Sequence, residues 1–163
     1  MVEQILQAGD TRLTAQNRNL DFKNDKPYIL SVLDRMKAVM QENPFVGLTA
    51  PQIGENINLF ITEIRPTKYR TDLKEIDPLR VYINSKITYY SKESVVMTEG
   101  CGSVDYSKTR LDISRPKEII IVFFDLNGNR IEKKASDLLS RVIQHEYDHT
   151  LGKLMTSYPI ASK

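Results

Sequence analysis

The chain has 163 residues, of which 40% are hydrophobic and 27% charged, as is typical of a soluble globular protein with a core of its own. A net charge of +2 is too small to indicate binding to nucleic acid or to an anionic membrane, and no apolar run approaches the roughly 20 residues that a bilayer span needs. The single cysteine, Cys101, excludes an internal disulfide, and the N-terminus carries Glu3 and no apolar signal segment, so a cytoplasmic protein is expected.

The first predicted element is a helix over residues 24–44. Asn24 or Asp25 can cap its N-terminus. Pro27 suits the first turn, and Pro44 ends the helix. Apolar residues recur at the spacing of a helix with one buried face: Ile29, Val32, Leu33, Met36 and Met40.

Strands are predicted over residues 58–64 and 81–90, which are rich in β-branched and aromatic side chains. The connection between them, residues 65–80, is charged and contains two prolines. It is expected to be a solvated loop, with a partner-binding surface as the alternative. Residues 118–136 are typical of a β-hairpin, because Asn127-Gly128 supplies the positive φ angles that a tight turn needs.

The last predicted element is a helix that begins at Ser136-Asp137, with Ser136 as its cap, and ends at Gly152. Strands that precede a late helix, without βαβ alternation, favour an α+β fold. One domain over residues 1–163 is expected to hold all of these elements.

The last helix carries a pattern that is typical of a metal site. Leu138, Val142, His145 and His149 form one stripe along the helix, apolar at its start and imidazole at its end. These are the only two histidines of the chain, and histidines four residues apart can share one metal ion. Glu146 between them can act as the general base toward a water molecule at that ion. The alternative is that all three are surface polar residues of an amphipathic helix.

The remaining ligand is expected upstream of the helix. The residues that follow His149, TLGKLMTSYPIASK, contain no His, Asp, Glu or Cys. Cys101, in the glycine-flanked stretch TEGCGSV, is the natural candidate, although a lone cysteine is more often a small buried hydrophobic residue. A Cys/His/His set leaves a fourth position for water, which is the arrangement of a catalytic site. The residues thus indicate a metal-dependent hydrolase that acts on an amide or ester carbonyl.

Three stretches together resemble the motifs of the peptide deformylases. The family patterns are G-x-G-L-A-A-x-Q, E-G-C-L-S and Q-H-E-x-D-H, and the corresponding stretches are FVGLTAPQ (45–52), EGCGS (99–103) and QHEYDH (144–149). The resemblance implies an α+β fold in which antiparallel sheets surround the helix with the His-Glu motif. It also implies removal of the N-formyl group from the formylmethionine of newly made polypeptides.

The resemblance further implies a role for each site residue. One divalent metal ion, Fe²⁺ in the first place and otherwise Zn²⁺, Ni²⁺ or Co²⁺, would have three protein ligands: Cys101, His145 and His149. Glu146 would be the base that later protonates the leaving amine. The side-chain amide of Gln52 and the backbone N–H of Gly102 would donate hydrogen bonds to the oxyanion.

Other residues would support the site or bind the substrate. Glu99 would orient a histidine or contact Arg141, and Gly47 would let the backbone of the substrate approach closely. Three residues could line the pocket for the methionine side chain, although core packing explains them as well: Met97, Leu138 and Val142. The expected partners are N-formylmethionyl peptides and nascent chains, without direct recognition of nucleic acid or membrane.

Three positions depart from the family patterns. Phe45 stands where the first motif has glycine and could narrow the substrate cleft, while Thr49 replaces an alanine and adds a hydroxyl that needs a partner. Gly102 replaces a leucine; its N–H remains, but the packing side chain is lost and the backbone becomes looser. These departures leave two alternatives: an enzyme for another N-acyl peptide, or a metal-binding protein with little turnover. Retention of Glu146 argues against the second.

Overall fold

The computed structural model describes residues 3–105 and 108–162, and these form two α-helices, seven strands and three short 3₁₀ turns. The helices are α1 (Lys26–Glu42) and α2 (Asp137–Thr150). The strands are β1 (Gly47–Thr49), β2 (Leu59–Ile64), β3 (Asp77–Tyr90), β4 (Ser94–Glu99), β5 (Leu111–Pro116), β6 (Glu118–Phe124) and β7 (Arg130–Ser136). The 3₁₀ turns are Thr11–Leu13, Ala50–Ile53 and Met155–Ser157. In the described part of the chain, no helix has both the length and the apolar character that crossing a membrane requires.

The strands form one five-stranded antiparallel sheet, in the order β1-β2-β3-β6-β7, and a separate β4-β5 pair. The five-stranded sheet lies between the two helices. Leu59 and Ile61 of β2 belong to the apolar cluster that contains α1, whereas Phe60 and Ile64 belong to the cluster that contains α2. On the α2 side, the ring of Phe60 stacks on that of Tyr82 at 4.4 Å between centroids. The predicted α+β fold with a central motif-bearing helix is confirmed.

Helix α1 forms as predicted, but its caps differ from the expectation. Asp25 is the N-cap residue, yet its side chain makes no capping hydrogen bond. Its carboxylate instead accepts from Arg18 at 2.8 Å and from the backbone N–H of Asp21 at 2.7 Å. At the other end, the guanidinium of Arg65 donates to the carbonyl oxygens of Met40 at 2.6 Å and Asn43 at 3.1 Å. A residue of the predicted loop therefore satisfies the carbonyls that the end of α1 leaves open.

The predicted loop 65–80 is too long, because β3 begins at Asp77 rather than at residue 81. Antiparallel pairing with β2 extends to Ile64 opposite Asp77, across a register shift. Within this charged start of the strand, Arg80 forms an ion pair with Asp77 at 2.6 Å. Local charge and Pro78 concealed the strand, because pairing with β2 is a non-local interaction that composition does not report.

The β6–β7 hairpin is where it was predicted, but its turn is not the expected one. Five residues, 125–129, connect the strands, and of the Asn127-Gly128 pair only Gly128 has a positive φ, +78°. The carboxylate of Asp125 holds the turn by accepting from the N–H groups of Asn127 at 2.8 Å and Asn129 at 2.9 Å. An Asx-type turn replaces the predicted two-residue turn.

Helix α2 is buried on nearly all sides and ends as predicted. Gly152 has φ +72°, and its N–H donates to the carbonyl of His149 at 3.0 Å, as expected for a glycine that follows a helix. The predicted capping role of Ser136 is wrong, because its side chain makes no capping hydrogen bond. Asp137 instead turns the chain with φ +53°, and its N–H bonds the carbonyl of Lys117 at 3.0 Å.

The unusual backbone conformation of Asn84 can be tested by substitution. Asn84 has φ +51° within β3, and its side-chain amide pairs with both backbone groups of Leu20, at 2.7 and 2.8 Å. We expect Asn84→Ala to lower the free energy of unfolding by about 2–4 kcal/mol. The variant loses two hydrogen bonds and places alanine in the left-handed backbone region, which is unfavourable for a residue with a Cβ. Asn84→Gly should cost less than Asn84→Ala in urea denaturation, which reverses the usual order in a strand. A larger loss for glycine would contradict this explanation.

Candidate metal centre and active site

The structure brings the three predicted metal ligands together in the interior. Cys101, in the loop after β4, is 1% exposed, and His145 and His149 lie on the buried face of α2. Their potential ligand atoms all lie within 4.8 Å of one another, and the Sγ of Cys101 is 3.3 Å from the Nε2 of His149. One buried thiol and two imidazoles at such separations fit a divalent transition-metal ion.

The imidazole rings are oriented by their other nitrogens. The Nδ1 of His145 contacts the Oε2 of Glu99 at 2.8 Å, so Nε2 is the atom that this ring can offer to a metal ion. The Nδ1 of His149 is buried without a hydrogen-bond partner among the described residues, and its Nε2 faces Cys101. Both rings thus offer the same type of nitrogen to the space beside the thiol.

The electrostatics of this cluster also suit a metal ion. Burial disfavours the charged form of His145, but hydrogen bonds with Cys101 and Glu99 outweigh it and raise the pKa of this histidine well above the ordinary value. Burial, together with the charge on His145, lowers the pKa of His149. Because metal ligands must be deprotonated, an ion bound by these side chains has to displace the proton held on His145.

Behind the histidines, the carboxylate of Glu99 is the centre of a buried charge network. It accepts hydrogen bonds from Arg115 at 2.5 and 3.0 Å and from Arg141 at 2.7 Å, in addition to its contact with His145. Arg115 also donates to Asp148 at 2.7 Å. The sequence offered a histidine or Arg141 as the partner of Glu99, and the structure shows both.

The network balances its own charge. Burial opposes ionisation of Glu99, but the hydrogen bonds from His145 and Arg115 prevail and hold its pKa well below the ordinary value. Leaving His145 aside, two carboxylates face two guanidinium groups, and all four groups are buried, so each of these charges has an opposite partner. An ionised Glu99 is a strong acceptor that fixes the ring of His145.

Sequence reasoning missed Arg115, which belongs to none of the three motifs. Its signal was the alternation of β5: Leu111, Ile113 and Arg115 share one face, and Ile113 and Arg115 are both buried. An arginine at an inward-facing position of a strand must find carboxylate partners, because an unpaired buried charge is too costly. That pattern could have assigned Arg115 to the site.

The carboxyl group of Glu146 lies beside the cluster in an unusual environment. It is buried, its Oε2 has no hydrogen-bond partner among the described residues, and burial raises its pKa to about 7. Gly47 makes room for it: a Cβ on Gly47 would lie 2.7 and 2.8 Å from the Cγ and Cδ of Glu146. The glycine is therefore needed for the carboxylate, which the sequence did not suggest, while its predicted role toward the substrate stays a prediction.

Gln52 points its amide nitrogen toward the thiol. Its Oε1 accepts from the backbone N–H of Thr49 at 3.0 Å, while its Nε2 donates to the Oγ of Ser103 at 3.2 Å and lies 3.8 Å from the Sγ of Cys101. The hydroxyl that Thr49 adds to the motif lies 3.4 Å from the same Oε1. Together these contacts fix which end of the amide faces the cleft.

A cleft opens onto this cluster. The structure brings nearly all of the predicted site residues to its walls, including the three proposed for the methionine side chain: Met97, Leu138 and Val142. Phe45 and Gly102, two of the departures from the motifs, lie in the same walls. Arg70 also lines the cleft, so part of the predicted solvated loop 65–80 reaches the site, which sequence reasoning missed.

Comparison with known proteins decides the family. The family model described as polypeptide deformylase matches residues 2–162. This chain belongs to the polypeptide deformylase family. A peptide deformylase of Rickettsia prowazekii is 38% identical over 154 residues, which cover 94% of this chain and 85% of the relative. One of Pseudothermotoga lettingae is 32% identical, with 94% and 81% covered.

Solved structures of the family share the fold over the whole chain. A Met-Ala-Ser-bound class I type b peptide deformylase from Acinetobacter baumannii superposes with a TM-score of 0.90 at 25% identity, covering 98% of this chain and 99% of that one. A probable peptide deformylase from Synechococcus phage S-SSM7 gives a TM-score of 0.82 at 30% identity, covering 96% and 99%. The chain is thus similar to metal-dependent enzymes of this family throughout its fold.

The role of Arg115 in the buried charge network can be tested by substitution. We expect Arg115→Met to lower the free energy of unfolding of the metal-free protein by about 3–5 kcal/mol, because Glu99 and Asp148 lose their shared cation. Metal affinity, measured by competition with a chelator, should fall about 10–100-fold as His145 loses its fixed partner.

Arg80→Met is the matched control, since it removes an equal side chain from a partly exposed pair with Asp77. It should cost less than about 1 kcal/mol and leave metal affinity unchanged. If Arg115→Met behaved like this control in both measurements, the network would not support the metal centre.

Proposed function

We propose that this chain removes the formyl group from N-formylmethionyl peptides and nascent chains, using one divalent metal ion held by Cys101, His145 and His149. The observation that carries the proposal is the buried carboxyl of Glu146, without a hydrogen-bond partner among the described residues, beside that cluster at the base of a cleft. A protein that merely stored a metal would have no use for a buried carboxyl group in this position. Membership of the deformylase family supports the same reaction.

Glu146 is the proton carrier in this proposal. When bound, the metal ion supplies a Lewis acid that polarises the formyl carbonyl and acidifies a water molecule. Glu146 takes the proton of the attacking water and delivers it to the nitrogen of the leaving amine. A pKa raised to about 7 by burial suits a group that must accept and then release a proton near neutral pH.

Gln52 and Gly102 are proposed to stabilise the negative charge that develops on the formyl oxygen. The Nε2 of Gln52 is held near the thiol because its Oε1 is occupied by Thr49. The backbone N–H of Gly102, the residue after Cys101, forms no hydrogen bond within the described residues and lies in the wall of the cleft. Donors that are fixed before the reaction each contribute on the order of 3 kcal/mol to such a step.

The apolar part of the cleft is proposed to receive the methionine side chain. Met97, Leu138 and Val142 lie in its walls, and Val142 also packs in the apolar cluster beneath α2. Gly47, on the edge strand β1, lies in the wall of the cleft beside Glu146, and its backbone is proposed to run alongside that of the substrate. The Acinetobacter relative was crystallised with Met-Ala-Ser bound, a peptide of the product type, which supports a peptide that begins with methionine as the ligand of this cleft.

Iron in the ferrous state is the metal that we propose, with Zn²⁺, Ni²⁺ or Co²⁺ as ions that the same ligands accept. The donor set is one thiol and two imidazoles, and such a set does not by itself select among these ions. We also propose one catalytic domain over residues 1–163. A reducing cytoplasm would keep the thiol of Cys101 free to bind the metal ion.

The direct test is anaerobic hydrolysis of formyl-Met-Ala-Ser by protein reconstituted with Fe²⁺, in the wild type and in Glu146→Gln. We expect the wild type to release formate, and the variant to lose about 10²–10⁴-fold in kcat because its amide cannot carry the proton. The metal content of the variant, measured by elemental analysis, should equal that of the wild type.

Glu132→Gln, which neutralises an exposed carboxylate on β7, is the control and should keep full activity. Acetyl-Met-Ala-Ser should remain uncleaved. Cleavage of the acetyl peptide at a similar rate would indicate a broader N-acyl hydrolase. Turnover by Glu146→Gln at the wild-type rate would contradict the role assigned to Glu146.

A further inference from the structure

Gly102 lies at a position where the backbone does not require glycine. Among the described residues, the glycines with positive φ are Gly9, Gly54, Gly128 and Gly152. Gly102 is not one of them, so a left-handed φ is not the reason for glycine at this position. The reason for glycine at this position must lie in its surroundings.

The obstacle is the ring of Phe45. A Cβ added to Gly102 would lie 2.8 Å from the Cζ of Phe45 and 3.3 Å from both its Cε atoms. The first of these separations is well inside van der Waals contact, so the ring has taken the space that a side chain at position 102 would fill. The two strongest departures from the deformylase motifs are therefore in direct contact with each other.

Phe45 is not free to move out of the way. It is 9% exposed and packs in the apolar cluster that includes Met40 and Leu48. Its carbonyl lies 3.4 Å from the guanidinium of Arg65, the group that also binds the carbonyls at the end of α1. The connection between α1 and β1 thus holds the ring in place. Because protein interiors are closely packed, a group pushed against the ring would also displace its neighbours.

The ring lies beside Gly102, whose backbone N–H is expected to act on the substrate. The carbonyl of Gly102 is held by the side-chain amide of Gln7 at 3.0 Å, and the next carbonyl, of Ser103, by the N–H of Ala8 at 2.7 Å. The end of the Phe45 ring also occupies the space where a Cβ on Gly102 would lie. These contacts together restrict a glycine that would otherwise be the loosest point of the loop.

We propose that Phe45 is a positioning residue for deformylation: its ring replaces a side chain at position 102 and holds the Gly102 N–H in the orientation that stabilises the oxyanion. The inference rests on the proposed function, which makes that N–H a donor. It implies that Phe45 and Gly102 function as a pair, so that neither departure from the motif can be reversed alone without loss.

A double-mutant cycle with small substitutions tests the pair. Phe45→Leu removes the outer ring atoms that a Cβ at position 102 would meet, and Gly102→Ala adds that Cβ. We expect Gly102→Ala alone to lower kcat about tenfold, because its methyl group pushes the loop and the ring apart. Phe45→Leu alone should lower kcat by about threefold to tenfold, and the double variant should return to within about threefold of the wild type.

The readout is kcat for formyl-Met-Ala-Ser, expressed per metal-loaded folded protein, with KM measured alongside. An oxyanion donor acts in the transition state, so the loss should fall on kcat with little change in KM. A merely structural role would lower the thermal midpoint and the folded fraction but leave this normalised kcat unchanged. Phe22→Leu is the matched control, because Phe22 also packs beside a glycine, Gly128, and neither residue lines the cleft. The kcat of this variant should equal that of the wild type.

Additive effects in the cycle, or a wild-type kcat in Gly102→Ala alone, would overturn the pairing of Phe45 with Gly102. The second of these outcomes needs only one conservative variant, so it decides the question even where Phe45→Leu folds poorly. If the wild type itself released no formate, the proposed function would fail, and this inference would fail with it. An active wild type with an additive cycle would leave deformylation in place and remove only the role of Phe45.

Discussion

The buried carboxylate of Glu99 is the interaction on which the rest of the site depends. Glu99 is the last residue of β4, and its carboxylate hydrogen-bonds Arg115 of β5 and both Arg141 and His145 of α2. One side chain therefore joins three elements. Cys101 follows two residues later, and its thiol therefore reaches the histidines only while Glu99 keeps its partners. Desolvating these charges is costly, and the cost is offset because each has a hydrogen-bonded partner of opposite sign. Electrostatic pairing thus determines where the thiol and the imidazoles meet.

Glycines then create the space in which the chemistry would take place. At Gly47 the missing side chain admits the carboxyl group of Glu146, and at Gly102 it admits the ring of Phe45. Neither position has a positive φ, so close approach and not backbone conformation explains both. From the sequence, Gly102 is expected to leave a gap where the family has a leucine side chain. In the fold, the ring of Phe45 packs in that space. The volume that position 102 lacks is supplied by a residue more than fifty positions earlier in the chain.

Local patterns predicted the two helices, strands β2, β3, β6 and β7, and the residues of the His-Glu-x-x-His motif, because these signals are carried by spacing along the chain. The roles expected for Gln52, Glu99 and Gly102 came from the resemblance to the family motifs. The His-Glu-x-x-His register places both imidazoles on one face of α2, and the lone thiol was the natural third ligand. What escaped prediction depends on contacts between distant segments. The start of β3 at Asp77 follows from pairing with β2, and the role of Arg115 follows from carboxylates on β4 and α2. The spacing of residues along the chain does not identify which distant residues will become partners in the fold.

The central claim is that Cys101, His145 and His149 bind one metal ion together. Titration of the metal-free protein with Co²⁺, followed by absorption, tests it most directly, since thiolate–cobalt charge transfer and the ligand-field bands report the ligand set. The account predicts saturation at one ion per chain, a charge-transfer band that disappears in Cys101→Ser, and ligand-field bands of a four-coordinate ion. A spectrum that Cys101→Ser leaves unchanged would contradict the account, because the metal would then bind without the thiol.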